Sequence, residues 1–398
     1  MHRRLLATVV LMGAGIAPLQ AQEPADTSHH PPKLVEEGIL PKSIRIPGTG
    51  VSFSIGGYAK VDVIQDLDAI GNRYEFKVNS VPVEGSADAA QSGQTTIHAR
   101  ETRLNVDLRS GEGPRHLRVF AEGDFFGDNN AFRLRHAFGE LGHLLGGQTW
   151  TTFMDLSVRP RTLDFEGPEG EVFVRQAMVR WTQPMGPHWR WAVAIENPNP
   201  QFAVPSGLTG SPRATMPDLP GYLRYEAPRW HAQLAGIVRQ VRYDGGEGED
   251  DTSELGWGVS ATVRVKTFGK DALMGQLGVG DGVASYFDAY SGQKVDALLS
   301  ADGQLSTVSV RGGFVAYEHQ WSTSLRSMIA YSRTELSDSD GLPGADLRRI
   351  QDVRANLVWS PFKLVEYGAE VLWGSRENQD GSSGEAWRIQ ASLIYHLN

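Results

Sequence analysis

Arginine is the residue through which this chain could act on a solute. Only eight of its 38 basic residues are lysine. The rest are arginine, whose planar guanidinium stays charged and presents a fork of donors matched to carboxylate and phosphate. Arg133 and Arg135, in "FRLRH", are two residues apart, so an extended strand projects both from one face. Further on, "DLSVRPRTLDFEGPEG" (155–170) carries Arg159, Arg161, Asp164 and Glu166 in a Pro- and Gly-rich stretch that reads as a loop. Fixed cations interspersed with acids can take a small anion from its hydration shell and still release it. The competing reading is a wall network in which arginines and acids only satisfy one another.

Bond-making chemistry finds no comparable signal. There is no G-x-S-x-G, H-E-x-x-H, P-loop or G-x-G-x-x-G motif. No catalytic residue is assigned and no cofactor is expected. A hydrolase borne on the same scaffold stays as a minor alternative, because a triad needs only spatial proximity. Cys is absent, and the adjacent His29 and His30 of "SHHPP" lack further ligands, so no metal site is read. The net charge of −9 argues against nucleic acid as a partner.

The elements that must position these arginines show a period of two. In "VRANLVWSPFKLVEYGAEVLWG" (353–374), Val353, Ala355, Leu357 and Trp359 share a face. After a turn at Pro361, Val365, Tyr367, Ala369, Val371 and Trp373 share another, while Arg354, Asn356, Glu366 and Glu370 alternate with them. That is a β-hairpin with one apolar and one charged face. The same alternation recurs from Val51 onward in about sixteen segments, joined by short connections such as "QPMGPH" and long polar ones in turn. It puts Arg103, Arg180 and Arg354 on charged faces beside Arg133 and Arg135. Arg175 and Arg180 are five apart, and Arg180 is favoured as inward because Ala177, Val179 and Trp181 then share the apolar face.

Which face meets water follows from the amino terminus and the aromatics. Residues 1–21 have a basic start and an apolar run, "LLATVVLMGAGIAPL", too short to span a bilayer, and read as a secretory signal peptide cut after Ala21. Residues 22–50 read as a polar periplasmic tail. In the remainder, 51–398, Trp181, Trp189 and Trp359 stand at strand ends, as in the aromatic girdle of an outer-membrane barrel. The expected fold is therefore all-β: a transmembrane antiparallel barrel of about sixteen strands with its apolar face in lipid and its charged face lining a channel. Its place is the outer membrane of a Gram-negative cell.

"RIPGTGVSFSIGGYAKVD", "ARETRLNVDL", "FAEGDFFG", "FRLRHAFGELGHLLGGQTWTTFMD" and the 353–374 hairpin resemble the DcaP-like outer-membrane porins over nearly the whole mature chain. The resemblance implies a homotrimer that passes small anionic solutes, dicarboxylates in particular. It also implies that the loop after the fifth strand, 155–170, folds inward as a constriction, where Arg159, Arg161, Asp164 and Glu166 face wall arginines across a transverse field. A porin for neutral sugars is the alternative within transport; it would need aromatic stacking at the narrowest point. The chain ends "YHLN" instead of on an aromatic residue, which departs from the usual outer-membrane ending.

Overall fold

In the computed structural model, which describes residues 36–39, 42–91, 93–111, 116–337 and 341–397, the alternating segments are strands and the charged face is the inner one. The signal peptide and the first part of the tail lie outside these residues. The strands are β1 Val51–Asp66, β2 Arg103–Ser110, β3 Leu117–Asp124, β4 Arg133–Leu141, β5 Leu144–Trp150, β6 Arg175–Met185, β7 Trp189–Glu196 and β8 Leu219–Glu226. They continue as β9 Trp230–Asp244, β10 Thr252–Lys266, β11 Ala272–Asp281, β12 Ser309–Gln320, β13 Leu325–Ser337, β14 Leu347–Phe362, β15 Val365–Asn378 and β16 Ser383–His396.

Each strand pairs antiparallel with the next, and β16 pairs with β1, from Arg388 opposite Asp66 to His396 opposite Tyr58. The sixteen-strand barrel is closed, so every strand has two neighbours, as a bilayer requires. Connections of two to six residues lie at one rim, and one further short connection, 379–382 between β15 and β16, lies at the other. Gly142, at φ 60°, permits the two-residue turn between β4 and β5. The long loops lie at the other rim, which by barrel convention faces outside the cell. The end of the amino-terminal segment also joins the sheet: Ile44 and Arg45 pair with Phe53 and Ser52 of β1.

Side-chain exposure divides by parity. In β1, Lys60, Asp62, Ile64 and Asp66 are buried inside, while Ile55, Val61 and Val63 are exposed outside. In β14, Asp352, Arg354 and Val358 are buried while Leu357 and Trp359 are exposed. Outward Trp181, Trp189, Trp230, Trp321 and Trp359 ring the short-turn end; Trp257, Tyr331 and Trp387 stand toward the other. Among the described residues no helix is long and apolar enough to cross a membrane; the crossing is made by strands.

The interior is not a simple polar tube. Three long loops enter it: L1 (67–102), L3 (151–174) and L6 (282–308). Phe76 and Val78 of L1, Phe153 of L3 and Tyr286 and Phe287 of L6 form an apolar cluster with inward Ile237, Ile350 and Leu372 of the wall. Backbone that threads a lumen must pack on something, and these wall positions supply the apolar surface.

Candidate functional site

L3 leaves β5 and is tied to the inner wall at successive points. Glu196, at the end of β7, accepts from Thr151 Oγ1 (2.6 Å) and from the Thr152 amide (2.7 Å). Asp155 accepts from the Ser157 amide (3.1 Å) and from Thr262 Oγ1 (2.7 Å) and pairs with Arg224 of β8. Arg161 forms two bonds to Glu318 of β12, each 3.1 Å. One oxygen of Glu370 on β15 takes the amides of both Leu163 and Asp164 at 2.7 Å. Gly170 lies so close to β12 that an added Cβ would sit 2.4 Å from the Gly313 carbonyl oxygen, so only glycine lets the loop approach here.

The centre of this attachment is Arg354. Its side chain is fully buried, donates to Asp352 (2.7 Å) and to the Glu166 carbonyl (2.7 Å), and lies 3.4 Å from Asp164. Asp164 also accepts from the Phe76 amide (3.1 Å) and pairs with Arg388 at 3.5 Å. Asp164 therefore does not face wall arginines across a gap on this side; it is bonded to them, while Glu166 meets Arg354 through its backbone carbonyl.

The gap lies on the other side of the loop. There β4 and β5 pair only from Ala137 opposite Gln148 down to the turn, so their upper ends part. A cavity of about 410 Å³ opens between that wall and the loops, lined by Arg133, Arg175 and Trp150 and by Lys77, Glu75, Glu166 and Asp288, among others. Arg133 and Arg135 hold Asp124 at 2.9 and 2.8 Å, and Arg135 also meets Glu122 at 3.2 Å. Phe165 of L3 lies under the guanidiniums of Arg103, Arg133 and Arg135, 5.7, 5.5 and 5.1 Å from its ring centroid. Arg175 lies over Trp150 at 5.1 Å; among the described residues it has no ion pair, and its Nη1 has no hydrogen-bond partner.

On the loop side, Lys77 pairs with Glu166 at 2.6 Å. Burial opposes ionisation of Glu166, but the Lys77 ammonium outweighs it and holds the carboxyl at about 2. Burial, then the neighbouring Glu166 carboxylate, push Glu75 up to about 7, and burial with Glu166 and Glu169 raises Asp288 well above the carboxylate range. Below neutrality Glu75 is thus largely protonated, and Asp288 is biased in the same direction by its burial beside Glu166 and Glu169. Lys77 and Glu166 cancel, Arg133 is matched by Asp124, and Arg175 remains as the uncompensated charge on the cavity.

Of the residues singled out from the sequence, Arg133 and Glu166 line this cavity. Arg103 and Arg135 stand behind Phe165, and Arg159 is turned back onto Glu171 at 2.9 Å. Arg161 sits away at Glu318, Asp164 and Arg354 form the buried tie, and Arg180 faces inward lower on β6. Arg175 had been set aside in favour of Arg180, and Lys77, Glu75 and Asp288 were not singled out. The alternation of "RYEFKVN" (73–79), with Tyr74, Phe76 and Val78 against Glu75 and Lys77, was a usable signal in L1. So was the aromatic density of "SYFDAY" (285–290) in a loop otherwise polar.

The family model of the DcaP outer membrane protein matches residues 41–397. The outer membrane channel DcaP of Acinetobacter baumannii superimposes with a TM-score of 0.76 at 22% identity, covering 87% of this chain and 98% of that one. The anion-selective porin of Comamonas acidovorans gives 0.61 at 11% identity over 87% and 100%. OmpF of Salmonella typhi gives 0.57 at 9% identity over 87% and 98%. No curated protein matches in sequence.

Proposed function

Since the chain belongs to the DcaP outer membrane protein family, and is an integral outer-membrane β-barrel with the fold of a porin, we propose that it passes small anionic solutes, dicarboxylates among them. The observation that carries this is the arginine wall at the cavity, where Arg175 is unmatched and Arg133 and Arg135 lie beside it. A dicarboxylate meeting that wall exchanges water for charge-assisted, in part bidentate, hydrogen bonds. The Lys77–Glu166 pair and Glu75 on the opposite side keep the field moderate, so the solute also leaves. The sugar alternative has less support: Trp150 and Phe173 line the cavity, but guanidiniums already cover both rings, with Arg175 5.1 Å from Trp150 and Arg159 4.4 Å from Phe173.

The same reading includes a homotrimer. Strands β2 to β5 have 8, 8, 9 and 7 residues, against 15 and 15 in β9 and β10. At ~3.3 Å per residue and ~45° tilt, seven residues rise only ~16 Å, short of the ~25 Å apolar band of a spanning barrel. A short sector is better covered by another protomer than by lipid. The test of function is the reversal potential across a salt gradient in planar bilayers. Anion preference should fall in Arg133→Gln/Arg175→Gln, and an unchanged potential would sink the proposal.

A further inference from the structure

On the outer face, away from the short sector, β11 to β13 carry a feature that solute passage does not use. Outward residues of β11 and β12 include two glycines, Gly275 and Gly313, and Gly313 sits between Leu277 and Arg333 in the register. The missing side chain at Gly313 leaves an open trough of about 600 Å³ walled by Leu277, Val279, Val315 and Tyr331. At its long-loop end stand Arg311 and Arg333, with side chains 64% and 46% exposed, sharing the carboxylate of Glu335.

The arginines belong to a row that continues around the barrel. Arg311 is opposite Glu335, Glu335 opposite Arg349, and Arg349 opposite Glu377. Arg348 adds a further base, 51% exposed and 3.5 Å from Glu377. Four bases thus meet two acids on an outward face. The level is equally informative. Tyr331, Val353 and Trp373 are in register, and Arg333 is two residues nearer the long-loop rim than Tyr331. Aromatic side chains mark the headgroup boundary, so the arginines stand where lipid phosphates lie in the outer leaflet.

We infer that this trough and row bind a phosphate-bearing acylated lipid of the outer leaflet, with lipid A chemistry. Its phosphate sits on Arg311 and Arg333, and one acyl chain lies along Leu277, Val279 and Val315 over Gly313. Charge complementarity selects the anionic headgroup, and the adjoining apolar trough selects an amphiphile over a free anion. A second copy of the chain is the weaker occupant, because these strands, at 10, 12 and 13 residues, have no short sector to cover.

The test is binding to the delipidated full-length protein in detergent, read by native mass spectrometry. The probes are bis-phosphorylated lipid A, enzymatically dephosphorylated lipid A and phosphatidylglycerol. Bis-phosphorylated lipid A should bind tightest, and Arg311→Gln/Arg333→Gln should weaken it about thirtyfold, as expected for two arginines at a lipid surface. Glu335→Gln should strengthen it, because it frees both arginines from their internal acid; a purely structural ion pair would not behave so. Equal binding of dephosphorylated lipid A, or an affinity unmoved in the double variant, overturns the inference. Phosphatidylglycerol binding as well as lipid A refutes the assignment to the outer leaflet.

Discussion

Replacing Arg354 with alanine would release the inward loop without touching the barrel's closure. The guanidinium is fully buried and holds Asp352, the Glu166 carbonyl and Asp164 together. Its removal strands two carboxylates, Asp352 and Asp164, that are themselves almost wholly buried. Breaking a buried pair from one side costs ~3–5 kcal/mol, because the remaining charge stays uncompensated. Arg388 at 3.5 Å and the Phe76 amide still hold Asp164, so the lower figure is the better guide. About 3 kcal/mol shifts the balance between docked and undocked loop by roughly two orders of magnitude. Single-channel recordings should then show larger mean conductance with flicker, and liposome swelling should admit larger solutes. The thermal transition of the barrel should change little, since all sixteen strand pairings remain. Conductance and current noise equal to those of the unsubstituted protein would refute the assignment of Arg354 as a tie.

Three further outcomes follow from the geometry. In Arg175→Gln alone, anion preference should drop measurably, since about 1 kcal/mol per unit charge at ~4 Å in water is a fivefold effect on anion partition; the bilayer reversal potential reads it. Glu75, raised to about 7, stabilises docked L1 while protonated, and that contribution is lost as pH rises from its unfolded value near 4.5 through 7. Anion preference should therefore decline between pH 6 and 8, and Glu75→Gln should flatten the profile. Leu357→Arg, on the outer face between Trp359 and the Trp373 row, should cost ~2–4 kcal/mol in a lipid-refolding titration.

The barrel was legible because one rule, alternation every second residue, writes it sixteen times. Trp359, Leu357 and Arg354 declare their faces without any tertiary knowledge. Site residues were most legible where they sat on strands, with Glu166 of L3 the loop residue that was also singled out and lines the cavity. Spacing put Arg133 and Arg135 on one strand, where Arg133 lines the cavity and Arg135 is buried behind Phe165, but Arg354 and Asp164, read as pore-lining, are partners in a buried tie. Parity says which way a side chain points and not what a loop brings to meet it. Arg175 escaped because strict parity opposed it to Arg180. Arg175 keeps its register opposite Trp150, but where β4 and β5 separate the wall is open and it lines the cavity all the same. Lys77, Glu75 and Asp288 escaped because the alternation around Glu75 and Lys77 and the aromatics around Asp288 do not say where in the lumen a loop will dock.

The seam between β16 and β1 has a consequence for the order of events in folding. Ser392 and Asp62, which hydrogen-bond across it, are 330 residues apart in the chain, and nothing nearer can seal the sheet. Until the last strand arrives, two edges with unpaired amides and carbonyls face the membrane, each unmet group costing several kcal/mol in lipid. Contacts this distant form late, because the entropy of closing the chain must be met before they can contribute. The loop's dock straddles the same seam: the Leu163 carbonyl accepts from Lys60 of β1 and from Gln390 of β16, the latter at 3.2 Å. The ties of Leu163 to the seam are therefore complete only when the last strand is in place, so the loop's docking and the barrel's closure are finished by the same event.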